Sequence, residues 1–222
     1  MFSGVPQGSV IGPLLFNLYI NDIMHPSLPL NKAEGGIRLF ADDAKLFSTD
    51  IEKLQATVNE VGHWLENRQL KLAPHKCFSL AVSKNKADIS KSISINDTKL
   101  STTTFIKDLG VYISHDLKWT HHVNYIYRNA SVCSYQLYKS VKTRNIWIWV
   151  KLFKTYVRPK LEYATSVWSP DLKKDIKKIE SVQKVFTKRA CNRCGMPFTS
   201  YYDRLVKLNL KSLQYRRIFF DL

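Results

Sequence analysis

The sequence predicts an α+β fold: short antiparallel strands and helices over residues 1–115, then an all-helical region over residues 116–222. Three observations predict it. Apolar residues mix strand-like and helix-like spacings up to about residue 113, and beyond that recur only every three or four positions. Two short apolar arms within residues 37–47 flank Asp42-Asp43, as the strands of an antiparallel hairpin would. Charge changes in step: residues 1–50 carry a net −2, whereas residues 151–222 hold 17 basic against 6 acidic side chains.

Residues 10–23 read as a helix, with Val10, Ile11, Leu14, Leu15, Leu18, Tyr19 and Ile23 at helical spacing. Pro13 falls near its start, where a missing N–H does no harm, and Ser9 is a candidate cap. Pro26, Pro29, Gly35 and Gly36 mark residues 24–36 as a loop. After the aspartate hairpin, Thr49-Asp50-Ile51-Glu52 has the capping-box pattern, and Ile51, Leu54, Val58, Val61 and Leu65 form one face of a helix reaching about Arg68. Phe78, Leu80 and Val82 alternate as in a strand, residues 83–92 form a polar loop, and residues 93–95 and 104–113 give further strands.

From Thr120 the pattern is helical. Val123, Ile126, Ala130, Cys133, Leu137 and Val141 make one stripe, and a second helix runs over residues 146–157 until Pro159 ends it. A short third helix is expected over residues 161–168. A fourth covers residues 171–190, with Leu172, Ile176, Ile179 and Phe186 on its buried face.

The net charge of +16 over 222 residues points to nucleic acid or an anionic membrane as partner, with a merely solvated basic surface as the plain alternative. No apolar run reaches the roughly 18 residues of a membrane span, and the first residues lack a signal-peptide pattern, so a soluble intracellular protein is expected. Cys77, Cys133, Cys191 and Cys194 are expected as thiols. Cys191-Asn192-Arg193-Cys194 is a lone C-x-x-C whose nearest histidines, His121 and His122, are about 70 residues upstream; a zinc module built on it is a minor alternative.

Adjacent carboxylates at a tight turn repel each other unless water or a divalent cation screens them. Magnesium takes a few carboxylates together with phosphate oxygens and water. On the dipeptide alone, Asp42-Asp43 also fits a solvated turn. Its context is more specific. Gly4-Val5-Pro6-Gln7-Gly8-Ser9-Val10-Ile11-Gly12-Pro13-Leu14-Leu15-Phe16 precedes Phe40-Ala41-Asp42-Asp43 by a short interval. The two segments closely resemble neighbouring motifs of reverse transcriptases from non-LTR (LINE-type) retrotransposons: a nucleotide-pocket segment followed by a helix, and the catalytic Phe-Ala-Asp-Asp hairpin.

The resemblance implies a partial polymerase palm over residues 1–115 and a basic, thumb-like helical region over residues 116–222. It implies Asp42 and Asp43 as catalytic metal ligands for two magnesium ions, or manganese in their place. Pro6, Gln7, Gly8, Phe40 and Ala41 would line the nucleotide pocket. A glycine-flanked turn lets backbone approach a nucleotide, and a helix start suits phosphate. Leu70-Lys71-Leu72-Ala73-Pro74-His75-Lys76-Cys77 resembles the family's segment beyond the hairpin helix, which puts Lys76 near the incoming triphosphate, although the family usually has Asn where this chain has Ala73. Lys107-Asp108-Leu109-Gly110-Val111-Tyr112-Ile113 resembles the primer-grip hairpin, with Leu109 and Gly110 at the primer; its plain reading is a bulged core strand. Residues 158–164 and 167–170 resemble the segment these elements carry beyond the palm.

In the fourth helix Lys173, Lys177, Lys184 and Lys188 share one side, which Lys174, Lys178 and Arg189 widen; this face would track duplex phosphates, or simply be solvated. Trp147, Trp149 and Tyr156 read as core rather than base-stacking residues. The implied reaction is RNA-directed DNA synthesis on an RNA template and DNA primer from deoxynucleoside triphosphates. The palm's further carboxylate is expected upstream of the Pro-Gln-Gly segment, yet no Asp or Glu precedes Asp22, and the fingers are expected there too. The 222-residue chain alone is therefore expected not to extend a primer. The alternative is a non-enzymatic nucleic-acid-binding remnant.

Overall fold

The computed structural model describes residues 8–24, 35–82, 92–197 and 199–221. The chain forms two compact units, Met1–Thr103 and Thr104–Leu222. Both are built from helices and two-stranded sheets, nearly all antiparallel.

In the first unit, helix α1 (Gly12–Ile20) runs into a 3-10 turn, Asn21–Met24. Pro13 sits in its first turn, and the Ser9 hydroxyl accepts from the Gly12 amide at 3.1 Å. Strands β1 (Gly35–Phe40) and β2 (Asp43–Ser48) form an antiparallel hairpin in register from Gly35↔Ser48 to Phe40↔Asp43. Helix α2 (Ile51–Asn67) follows. Its cap is Asp50, not Thr49: the Asp50 carboxylate accepts from the amides of Glu52 at 2.9 Å and Lys53 at 3.3 Å. Two adjacent residues can each serve as a cap, and the carboxylate, favoured by the helix dipole, holds the position.

The core of this unit joins Ile20, Ile23, Ile37 and Val61, flanked by Phe16, Leu39, Leu46, Trp64 and Leu65. The Tyr19 hydroxyl donates to the Arg68 carbonyl at 2.7 Å, and Arg68 pairs with Asp22, so the ends of α1 and α2 are pinned together. Most of the apolar residues that recur at helical spacing in this segment stay in solvent. Val10 is 97 % exposed, Leu18 67 % and Leu14 61 %, and α1 reaches the core through Phe16 and Ile20.

The expected strand over residues 78–82 shrinks to β3 (Phe78–Ser79), paired parallel with β6 (Ser101–Thr102). Between them β4 (Ser94–Ile95) and β5 (Thr98–Lys99) turn at Asn96-Asp97, both at positive φ. The expected loop over residues 83–92 lies, except for Ser92, outside the described residues.

The second unit opens with an antiparallel hairpin of β7 (Phe105–Asp108) and β8 (Val111–Ser114). Helix α3 (Thr120–Ser140) begins where expected. Helix α4 (Ile146–Leu152) does not stop before Pro159. It passes through one π-helical turn, Phe153–Val157, into α5 (Arg158–Glu162), whose first turn contains Pro159. The Arg158 amide reaches back five residues to the Phe153 carbonyl, and the widened turn leaves room for the proline ring that would otherwise break the helix. The short helix expected over residues 161–168 is instead the end of α5 and a turn in which Ala164 takes a φ of +54°.

Helix α6 (Lys173–Arg193) packs on α3 through Ile179, Val182, Phe186 and Ala190; Leu172 lies before it and is exposed. Val123, Ile126, Trp149, Phe153, Leu161, Trp168 and Leu213 complete this core. Two helices were not anticipated, α7 (Tyr201–Lys207) and α8 (Leu213–Asp221). Ser200 caps α7: its hydroxyl accepts from the Asp203 amide at 3.2 Å and donates to the Asp203 carboxylate at 2.6 Å. That Ser-x-x-Asp spacing was readable in the sequence. Among the described residues, no helix is long and apolar enough to cross a membrane.

Candidate active site and nucleic-acid faces

The β1–β2 hairpin leaves two residues, Ala41 and Asp42, for its turn, and Asp43 begins the return strand. Ala41 takes a φ of +52°, a left-handed conformation costly for a residue with a Cβ. Phe40, Ala41, Asp42 and Asp43 are all exposed. Ile37, Leu39 and Leu46 root the strands behind them in the core shared with α1 and α2. The sequence thus presents two consecutive carboxylates to solvent from a rigid base.

Gly8 has a φ of +83° with open space around it, so its backbone, not its lack of bulk, calls for glycine. Pro6 and Gln7 lie outside the described residues. Lys76 ends a 3-10 turn, Pro74–Lys76, and is exposed. Asp22 is engaged by Arg68. Among the described residues, no three His, Cys, Asp or Glu side chains are grouped to hold a metal.

In the second unit the tip of the β7–β8 hairpin is Leu109-Gly110, with φ of +44° and +88°. The Tyr163 hydroxyl donates to the Leu109 carbonyl at 3.0 Å. A Cβ on Gly110 would stand 3.1 Å from the Tyr163 ring. One strand further, the Tyr112 amide donates to His122 Nδ1 at 3.2 Å. His122 is 1 % exposed, and its ring meets Trp168 edge-on at 4.6 Å. With Nδ1 accepting, the proton sits on Nε2, which has no conventional partner. Burial, then the neighbouring His121, hold its pKa down to about 4. Trp168 Nε1 donates to the Tyr163 carbonyl at 2.8 Å, closing the loop of contacts. On the same hairpin, Lys107 Nζ donates to the Tyr125 hydroxyl at 3.3 Å and lowers the phenol's pKa. None of these supports was visible in the sequence, because each joins residues far apart along it or depends on a ring's orientation.

On α6, Lys173, Lys174, Lys177, Lys184 and Lys188 are exposed. The other expected members of the face turn elsewhere. Lys178 reaches Asn124 at 2.5 Å and lies 5.1 Å from the Tyr127 ring centre, and Arg189 lies over Tyr138. Arg193 stacks 3.8 Å from the Tyr138 ring centre and donates to the Tyr138 and Val141 carbonyls, finishing α3. Of the three aromatics read as core, Trp149 is, at 1 % exposure, whereas Trp147 and Tyr156 are more than half exposed. Cys191 is buried among Leu205, Leu208 and Leu210, and burial raises both its pKa and that of Cys194; this environment disfavours the thiolates a zinc site needs.

The family described as reverse transcriptase (RNA-dependent DNA polymerase) matches residues 1–126, more than half of the chain, and the chain belongs to that family. The mobile-element polymerases it resembles are of the non-LTR, LINE type. The chain is 27% identical to the RNA-directed DNA polymerase from mobile element jockey of Drosophila funebris over 192 residues, 82% of this chain and 21% of that protein. It is 25% identical over 194 residues to the probable RNA-directed DNA polymerase from transposon X-element of Drosophila melanogaster, again 82% and 21%. An uncharacterized protein of Caenorhabditis elegans is 34% identical over 113 residues, 51% of this chain and 57% of that protein. The chain thus spans about a fifth of the mobile-element polymerases and just over half of the nematode protein. No solved structure matches.

Proposed function

We propose that this chain carries the metal-binding and primer-handling part of an RNA-directed DNA polymerase that extends a DNA primer on an RNA template from deoxynucleoside triphosphates. The observation that carries the proposal is the pair of solvent-facing carboxylates, Asp42 and Asp43, at a strained turn rooted in a packed core. The donor set fits magnesium, which takes one or two carboxylates and leaves its other positions to substrate phosphates and water. Asp42 and Asp43 would hold it, with manganese as a substitute. Bound there, a divalent cation supplies charge neutralisation at the phosphates and favours ionisation of the primer 3′-hydroxyl.

The remaining roles fall to the chain's own groups. Pro6, Gln7, Gly8, Phe40 and Ala41 form the wall against the nucleotide, and Gly8 lets the backbone come close. Lys76 faces the triphosphate. Leu109 and Gly110 contact the primer, and Lys173, Lys177, Lys184 and Lys188 follow the duplex phosphates. A non-enzymatic nucleic-acid-binding role is the second reading, favoured by the exposed α6 lysines, which need no metal.

Paramagnetic manganese separates the two. The nuclear magnetic resonance signals of residues 40–44 should broaden selectively in the wild type, and the broadening should vanish in Asp42→Ala while nucleic-acid affinity in metal-free buffer is kept. Broadening that survives Asp42→Ala, or spreads evenly over acidic residues, overturns the metal site.

A further inference from the structure

We propose that Tyr163 is a positioning residue: it fixes the Leu109-Gly110 turn in the shape that meets the primer strand. The inference rests on the reading that this turn contacts the primer, and adds to it a residue 54 positions away in sequence.

The turn needs outside support. Four-residue strands joined by a two-residue turn are marginal alone, and Leu109 pays for a left-handed backbone that residues with a Cβ avoid. Tyr163 supplies that support twice. Its hydroxyl donates to the Leu109 carbonyl, and its ring lies where a side chain at position 110 would go. Gly110 is thus fixed both by its φ of +88° and by the ring beside it.

Tyr163 is itself held by the hairpin it supports. Its carbonyl receives Trp168 Nε1, Trp168 meets His122, and His122 accepts the Tyr112 amide two residues beyond the tip. The turn and the return strand β8 are therefore held by one chain of contacts. Tyr163 is 58 % exposed, so the ring is not there chiefly to fill the core; its polar end is spent on a turn carbonyl. With that hydrogen bond gone, Leu109 and Gly110 gain alternative backbone states, and the primer must select among them.

The test compares the 222-residue chain with Tyr163→Phe, which removes only the hydroxyl, and Tyr163→Ala. Two quantities are measured: amide hydrogen exchange across residues 105–114, and affinity for an RNA template with a recessed DNA primer against the same RNA unprimed. Tyr163→Phe should speed exchange at the turn about fivefold and weaken primed-template binding by a similar factor, as expected for one neutral hydrogen bond. Binding of unprimed RNA should not change, and Tyr163→Ala should go further in the same direction. Unchanged exchange in both variants overturns the positioning role. Faster exchange with unchanged primed affinity, or equal loss on both RNAs, leaves Tyr163 purely structural and overturns the link to the primer. A wild-type chain that does not distinguish primed from unprimed RNA shows instead that the primer reading of the turn fails, and this inference with it.

Discussion

The His122 ring lies inside the protein: Nδ1 takes a strand amide and the ring packs edge-on against an indole. An imidazolium could not accept that amide, and burial depresses the pKa to about 4 from an ordinary 6.5. The folded state therefore binds fewer protons than the unfolded state between those values. Stability contributed by neutral His122 is present above about pH 6.5 and is lost as pH falls toward 4, by up to about 3 kcal/mol. Urea midpoints measured from pH 7 to pH 4 should fall more steeply for the wild type than for His122→Asn, whose amide oxygen can still accept from Tyr112. Parallel pH profiles would contradict this account. Asp42-Asp43 is the opposite kind of residue pair. Its placement needed only the local rule that short apolar arms flank a turn, which is why it was legible from the sequence. Thr49 and Asp50 are both good caps, and only the geometry between the Asp50 carboxylate and the Glu52 and Lys53 amides decides between them.

At the scale of the element, long amphipathic helices were legible and their interruptions were not. The apolar period of α3, α2 and α6 fixed their extent within a few residues. Pro159 looked like a stop because a proline inside a regular helix is one; the π-helical turn before it is a tertiary solution with no local signature. The basic face of α6 was half legible. Spacing placed Lys173, Lys177 and Lys184 side by side in solvent, but gave no hint that Lys178, Arg189 and Arg193 would be drawn to Asn124, Tyr127 and Tyr138. The exposed lysines are thus the ones to test. Replacing Lys173, Lys177 and Lys184 by Ala should weaken binding of an RNA–DNA duplex without changing the melting temperature. It should also flatten the plot of log affinity against log salt by about one unit for each lysine that contacts a phosphate. An unchanged slope would assign the face to solvent alone.

At the scale of the whole molecule, the two units differ in how well they cover themselves. The second buries a continuous aromatic and aliphatic core between α3, α4 and α6. The first leaves Leu14 and Leu18 on α1, and Val10 and Ile11 just before it, in water. A contiguous apolar face of this kind promotes association. Sedimentation should show the chain self-associating at micromolar concentration, and Leu14→Lys with Leu18→Lys should shift it toward monomer while leaving the melting temperature nearly unchanged, since neither side chain is buried. A monomeric wild type would mean the face is quiet by itself. The sequence pattern grouped these residues at helical spacing, and periodicity records which residues share a face, not whether anything covers them.

Glu180 stands among these lysines, three residues after Lys177 and four before Lys184, and turns its carboxylate to the last two helices. Its carboxylate is occupied by the Tyr201 hydroxyl and by the first amides of α8, those of Leu213 at 3.3 Å and Gln214 at 3.2 Å. The last two helices thereby fix where this negative charge points, so the field that α6 shows to a polyanion is set partly by segments that carry none of its lysines.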